Sequence, residues 1–189
     1  AHDNVIDYKI MAELDGGKKL KIRAAAIPRE IVENAFRFLT EGKLKPLSLD
    51  IHPNAISKIF TDGVQINGLT CGKDNSTLLA DIGATGTSFY ILTTGGIDFS
   101  RTIQLGGKEF DSVLSRSLGI NLNEAEDLKV KIDLQHLDEQ DQDVADAVRG
   151  FLSRWTDEIH KVIQYFNTRS AATALKNIFL FGGGSDMTG

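Results

Sequence analysis

The sequence contains very little cysteine and has no long apolar stretch. Cys71 is the only cysteine among 189 residues, so the chain cannot close a disulfide within itself, which is typical of a reducing compartment. No apolar run reaches the roughly 20 residues that a membrane-spanning helix needs, and no signal peptide is recognisable at the start. These absences favour a cytoplasmic protein that reaches a membrane only through a partner.

An excess of basic residues is also missing. The 21 lysines and arginines are outnumbered by 26 acidic residues, which gives a formal net charge of -5. Because phosphate backbones reward basic surfaces, the composition argues against nucleic acid as a partner. No order of serine, cysteine, histidine and aspartate indicates a catalytic set, so we assign no catalytic residue. The four histidines share no metal-ligand spacing and are predicted to be surface or packing residues: His2, His52, His136 and His160.

The first third of the chain predicts a small β-β-α-β unit. Strands are predicted over 4–11 and 18–26, on either side of the turn signal LDGG. A helix is predicted from the proline at position 28 to the glycine at position 42, since these residues favour a helix start and a helix end. A third strand is predicted over 45–51, followed by a short helix over 54–60.

A polar stretch that begins near residue 61 marks the predicted boundary with the rest of the chain, which mixes strands and helices. We expect one or two short strands in that stretch, then three strands of which the last two flank Gly95-Gly96, a hairpin signal. Two helices follow, the second capped by Asn121 or Asn123. A long helix is predicted from 139 to 167, and a buried strand ends the pattern. The remaining strands are predicted over these residues: 76–83, 87–94, 97–105 and 177–181. The fold class is therefore α/β.

The segment DIGATGTS, residues 81–88, is the first candidate for chemistry. A buried strand runs into Asp81 and a turn of small residues, which allow backbone N–H groups to approach an anion. Thr85 and Thr87 add hydroxyl donors. Asp81 would repel phosphate, so its predicted role is to organise a magnesium ion through water. The alternative is a plain tight hairpin in which the aspartate caps the turn.

Three further segments carry weaker signals. Gly106-Gly107 stands at a strand-to-helix junction, where free N–H groups favour anions, although it is also explained as a simple connection. Glu126 and Lys129 share a helix face and either hold a ribose or adenine or form a solvated ion pair. Three glycines follow the last strand in FGGGSDMTG, residues 181–189, and let a flat ring lie against backbone, unless they form a flexible loop. The dinucleotide-binding motif G-x-G-x-x-G does not fit this order.

The order of these segments resembles the second large domain of the actin, Hsp70 and sugar kinase superfamily. DIGATGTS is similar to its second phosphate loop, FGGG to its adenosine loop and AEDLK to its adenine-side helix. Within the superfamily, DIGATGTSFYILTTGGIDFSRTIQLGG and the opening AAAIPREIVENAFRFLTEGKLKPLSLDIHPNAISKIF look most like the type IV pilus assembly protein PilM family, with the FtsA cell-division family second.

The resemblance implies an actin-like (ribonuclease H-like) ATPase domain fragment. Residues 1–61 would be the small inserted subdomain with the strand and helix that follow it, and residues 62–189 the second large domain. Only one DIG segment is present, at residues 81–83, so the first phosphate loop is expected to be absent and nucleotide binding by this chain alone to be incomplete. The implied contacts for ATP and magnesium are Asp81, Gly83, Ala84, Thr85, Gly86, Thr87, Gly106, Gly107, Glu126, Lys129, Gly182, Gly183, Gly184 and Ser185.

The implied function is that of a scaffold with at most weak ATPase activity. PilM-like proteins bind ATP at the cytoplasmic face of the inner membrane and grip the cytoplasmic N-terminal peptide of the membrane protein PilN. In the family that peptide groove involves the small subdomain, here about residues 4–50. An FtsA-like filament protein and a small-molecule kinase of the same superfamily are the alternatives.

Overall fold

The computed structural model divides the chain into two compact units, Ala1–Lys58 and Ile59–Gly189. This division lies a few residues before the boundary that the sequence predicts. The residues that the structure describes are 3–61, 63–71, 76–93, 96–169 and 175–187.

The first unit is a β-hairpin followed by helices. Strands β1 (Asn4–Leu14) and β2 (Lys19–Pro28) pair antiparallel. Helix α1 (Arg29–Glu41) begins directly after Pro28, and helix α2 (His52–Ile59) follows it. The amide of Gly42 closes the last turn of α1 by donating to a carbonyl oxygen of that turn at 3.1 Å. The first two predicted strands and the first predicted helix are therefore present within a few residues of their expected limits.

The strand predicted over 45–51 is wrong. Residues 44–51 have no regular secondary structure, so the unit is β-β-α followed by a short helix. A strand forms only where a neighbouring strand satisfies its N–H and C=O groups. Among the described residues, no strand pairs with this stretch.

The first unit buries few side chains in its described part. Helix α1 has no buried residue, and the hairpin has none either. Large apolar side chains are instead exposed on both, including Ile6 at 68%, Tyr8 at 62% and Phe38 at 77%. Exposed apolar side chains mark an interaction site where they form a contiguous patch.

The second unit is built on a four-stranded sheet of order β7-β6-β5-β8. Strands β5 (Ser76–Ile82), β6 (Thr87–Thr93) and β7 (Gly96–Ile103) are antiparallel neighbours, whereas β8 (Leu175–Phe181) lies parallel to β5. Gly95 of the predicted hairpin signal lies outside the described residues, and Gly96 begins β7. A two-strand ribbon precedes this sheet and consists of β3 (Gln65–Ile66) and β4 (Leu69–Thr70).

Three helices cover one face of the sheet. They are α3 (Gly107–Leu118), α4 (Leu122–Lys129) and α5 (Gln142–Arg169). The apolar stripe predicted on the long helix is confirmed, since every member either lies in the core or packs against it. The stripe consists of Val144, Val148, Phe151, Leu152, Trp155, Ile159, Val162 and Phe166. This core fixes the loops that leave the ends of the strands.

Candidate functional site

Two loops leave the same edge of the main sheet. Because β5 and β8 are parallel, their carboxyl ends lie side by side, and Asp81 is in register with Phe181. Loop 83–86 follows β5 and turn 182–186 follows β8. The carboxyl end of parallel strands is the usual position of a ligand in α/β folds. The two glycine-rich segments singled out in the sequence therefore meet.

Gly182 lets turn 182–186 lie directly against the end of β5. Its φ is +88°, a left-handed conformation that favours glycine, and a Cβ there would lie 2.4 Å from the Oδ1 atom of Asp81. The turn is closed by Ser185, whose N–H and hydroxyl both donate to the Gly182 carbonyl oxygen, at 3.0 and 2.7 Å. Gly184 is equally confined, because a Cβ would meet Ile82 at 2.3 Å.

Gly183 is different from its neighbours, since it faces open space. A Cβ added at this position would have no heavy atom within 4 Å, and the residue is exposed. Its φ is outside the left-handed range. The space above Gly183 is therefore free of protein in the described part of the chain.

Loop 83–86 is a tight turn with an exposed tip. The Gly83 amide donates to the Gly86 carbonyl oxygen at 2.9 Å, and a Cβ on Gly86 would lie 2.4 Å from the Ile103 oxygen. Ala84 and Thr85 are exposed at the tip. Within the described residues their backbone N–H groups make no hydrogen bond to protein. Adjacent amides without a protein partner can bind an anion where both face it.

Gly106 and Gly107 dock this loop rather than offering a free helix end. The amides of Gly107 and Lys108 donate to the carbonyl oxygens of Gly83 and Ala84 at 3.0 and 2.8 Å. A Cβ on Gly106 would lie 2.5 Å from the Gly83 oxygen. The Gly107 and Lys108 N–H groups at this helix start are thus occupied, because the loop carbonyl oxygens accept from them. The glycines remain at the site, with a different role from the predicted one.

The prediction that Thr87 gives a hydroxyl to phosphate is wrong for this conformation. Its side chain is fully buried, its hydroxyl donates to the Leu105 carbonyl oxygen at 2.6 Å, and it accepts from the Trp155 Nε1 at 3.0 Å. Thr85, in contrast, is exposed beside the loop tip. The strand alternation directs the second threonine into the core.

Lys129 reaches the same edge, but its partner is not Glu126. Its Nζ lies 2.6 Å from Asp111 Oδ1 on α3, and both side chains are mostly buried. The Nζ atom is also 3.4 Å from the position of a Cβ on Gly107. Glu126 is exposed, and its carboxylate makes no hydrogen bond or ion pair with other described residues. The ion pair considered from the sequence is therefore replaced by one between two helices.

Asp81 is the candidate for holding a cation. It is partly buried, and its charge adds to burial in raising the pKa of the neighbouring Tyr90 phenol. Among the described residues, no group of three or more acidic, histidine or cysteine side chains could hold a metal. One carboxylate beside a phosphate site suits magnesium, which keeps several waters and takes its other ligands from substrate phosphates. The donor set therefore fits magnesium held together with a nucleotide.

Sequence reasoning missed two residues that shape this site, Asp111 and Trp155. Asp111 lies one turn into α3, and nothing in its spacing relates it to Lys129 on the next helix. Trp155 belongs to the apolar stripe of α5, and that pattern explains its ring but not its N–H group. The only signal for this role is that a partly buried indole N–H needs a hydrogen-bond partner.

Solved structures of other proteins show which fold this chain has. The structure of a PilM-PilN type IV pilus biogenesis complex matches with a TM-score of 0.70 and 24% identity, covering 96% of this chain and 50% of that one. MreB 5 of Spiroplasma citri bound to AMPPNP matches with a TM-score of 0.60 and 16% identity, covering 85% and 54%. The ethanolamine utilization protein EutJ of Carboxydothermus hydrogenoformans matches at 0.57 and 20%, covering 80% and 48%. The chain has the fold of an actin-like ATPase domain.

The family follows from the sequence itself. The family model described as type IV pilus assembly protein PilM matches residues 1–189, and the chain belongs to this family. The resemblance read from the loops is thereby confirmed. The search of curated proteins found no match. The chain spans about half the length of the solved structures that it resembles. No helix in the described residues is long and apolar enough to cross a membrane.

Proposed function

We propose that this chain forms one wall of an ATP site and serves type IV pilus assembly as a docking scaffold. The observation that carries the proposal is the meeting of loop 83–86, the Gly106-Gly107 junction and turn 182–186 at one edge of the sheet. Nucleotide-bound MreB 5 of Spiroplasma citri shares the fold, which supports the nucleotide as ligand. We propose no catalytic residue.

The phosphates lie at the loop tip in this proposal. The amides of Ala84 and Thr85 make no hydrogen bond to described residues and would donate to a phosphate, and the Thr85 hydroxyl would add a donor. The Lys129 ammonium lies behind this loop and contributes positive charge, although its pairing with Asp111 reduces the net field. Asp81 would hold magnesium through water, and the ion would offset the repulsion between this carboxylate and the phosphates.

The adenosine lies against turn 182–186. Gly183 leaves an open surface on which a flat ring can rest, while Gly182 and Gly184 keep the turn close to β5. Glu126 is exposed on α4, one turn before Lys129, and is proposed to contact the ribose or adenine from that helix. The nucleotide site would be completed by a second wall that contains the first phosphate loop.

The docking role is proposed for the first unit. Its hairpin and α1 expose large apolar side chains, among them Ile6, Tyr8 and Phe38. An extended peptide binds such a surface by lying beside a strand or in the groove along a helix. A relative was solved as a PilM-PilN complex, so we propose the N-terminal peptide of a PilN-like inner-membrane protein as the partner. The chain would then work at the cytoplasmic face of that membrane.

A calorimetric titration tests both parts of this proposal. Magnesium-ATP is titrated into the gene product that carries this sequence, followed by a synthetic N-terminal peptide of the PilN-like protein from the same genome. We expect saturable binding of each ligand and none of a scrambled peptide. ATP binding without peptide binding would overturn the docking role, and peptide binding without ATP binding would overturn the nucleotide site.

A further inference from the structure

Two hydrogen bonds at the buried hydroxyl of Thr87 link helix α5 to the backbone beside loop 83–86. The Trp155 Nε1 donates to the Thr87 hydroxyl at 3.0 Å, and that hydroxyl donates to the Leu105 carbonyl oxygen at 2.6 Å. Thr87 is completely buried and Leu105 is 9% exposed. Three separate elements are thus joined by one hydroxyl group.

Thr87 and Leu105 each lie next to a segment of the candidate site in the sequence. Thr87 directly follows Gly86, the last residue of the loop, and Leu105 directly precedes Gly106, on which the loop is docked. The hydroxyl therefore joins the two backbone segments at the point where both enter the candidate site. Because Thr87 is completely buried, removing its hydroxyl leaves the Leu105 carbonyl oxygen and the indole N–H without this partner, which is costly.

Helix α5 is attached to the rest of the unit at this level by more than the indole. The Trp155 ring packs on Phe89 with centroids 6.5 Å apart. The neighbouring Arg154 reaches Glu109 on α3 at 3.4 Å, and Glu158 reaches Arg101 on β7 at 3.1 Å. These ion pairs are partly exposed and weak. The indole N–H is the contact by which α5 reaches Thr87, the residue next to the loop.

We propose that Thr87 and Trp155 are positioning residues that hold loop 83–86 in its anion-accepting conformation and relay its occupancy to α5. This inference rests on the proposed nucleotide site. Tightening of the loop on the phosphates shifts the Thr87 backbone and changes the geometry of the hydroxyl between Leu105 and the indole. A threonine that merely filled the core would pack there without responding to ligand.

The variants Thr87→Val, Thr87→Ser and Trp155→Phe separate these roles. Valine keeps the shape and removes the hydroxyl, serine keeps the hydroxyl, and phenylalanine keeps an aromatic ring without the N–H donor. Each is prepared in the gene product that carries this sequence. The affinity for magnesium-ATP is measured by calorimetry, and folding is checked by circular dichroism. The indole N–H resonance is assigned in ¹⁵N–¹H spectra by its loss in Trp155→Phe.

We expect the indole resonance of the wild type to move on titration with magnesium-ATP. Thr87→Val should bind about fivefold or more weakly, which is the lower end of typical coupling between sites, and its indole resonance should not respond. Thr87→Ser should restore both readouts. If Thr87→Val does not fold, a similar loss of affinity in folded Trp155→Phe supports the inference.

The opposite results overturn the inference. They are a wild-type indole resonance that stays fixed while ATP binds, or folded Thr87→Val or Trp155→Phe with wild-type affinity. Failure of the wild type to bind ATP would overturn the proposed function itself, and this inference with it.

Discussion

At the scale of the residue, glycines and one carboxylate determine what the sheet edge can accept. Gly182, Gly184 and Gly106 are required by close contact with neighbouring backbone or side chains, whereas Gly183 faces open space. The sequence indicated all four positions as part of one site. It did not separate those that bring the loops together from the one that leaves room for a ligand, because that difference depends on the neighbouring atoms.

The role of Asp81 can be tested by removing its charge. We expect Asp81→Asn to lose at least about tenfold of the ATP affinity that magnesium confers, since a charge-assisted contact is removed. In excess chelator the variant should bind ATP no more weakly than the wild type, because an uncompensated carboxylate repels phosphate. Calorimetry with and without magnesium measures both effects.

Asp98→Asn is the matched control, since this exposed aspartate lies near the start of β7, at the opposite end of the sheet. It should leave the magnesium dependence unchanged. An equal magnesium dependence in Asp81→Asn and the wild type would remove Asp81 from the cation site.

At the scale of the element, local signals predicted most strands and helices, and tertiary partners decided the rest. The apolar stripe predicted which face of α5 lies in the core, because helical spacing is a local property of the sequence. The stretch 45–51 reads as a strand by composition, yet it has no pairing strand among the described residues. The assignment of Thr87 to the phosphate site failed for a similar reason, since the sequence does not show which side chains of β6 face the core. Which strands pair, and which face of a strand is buried, are set by residues that are far away in the sequence.

The start of α4 offers a test of one local signal. The sequence left Asn121 and Asn123 open as caps, and the structure has a reciprocal cap in which the Glu124 amide donates to Asn121 Oδ1 and the Asn121 amide to Glu124 Oε2, both at 3.0 Å. We expect Asn121→Ala to lower the free energy of unfolding by about 1 kcal/mol, because it frees an amide of the first turn. Asn123→Ala should change it by less than about 0.5 kcal/mol.

Urea unfolding followed by circular dichroism measures both variants. Equal midpoints for Asn121→Ala and the wild type would show that the cap does not hold α4, and hence Lys129, in place.

At the scale of the whole molecule, the chain consists of two units that differ in how much of each is buried. The second unit has a core of its own and carries the candidate site, whereas the described part of the first unit is largely exposed. Sequence reasoning identified the family from the order of the loops, and the family model confirms it over residues 1–189. The proposed peptide partner and the proposed second wall of the site would be contributed by other chain segments, so neither this sequence nor its fold specifies them.

Calorimetric titration of magnesium-ATP into Gly183→Val, with Gly150→Val as the matched control, decides whether a nucleotide rests on turn 182–186. Neither position has a heavy atom within 4 Å of an added Cβ, so both variants should fold. If the nucleotide rests on turn 182–186, Gly183→Val should weaken its binding by about tenfold or more through steric overlap, while Gly150→Val on α5 should bind like the wild type. Wild-type affinity in folded Gly183→Val would contradict the account.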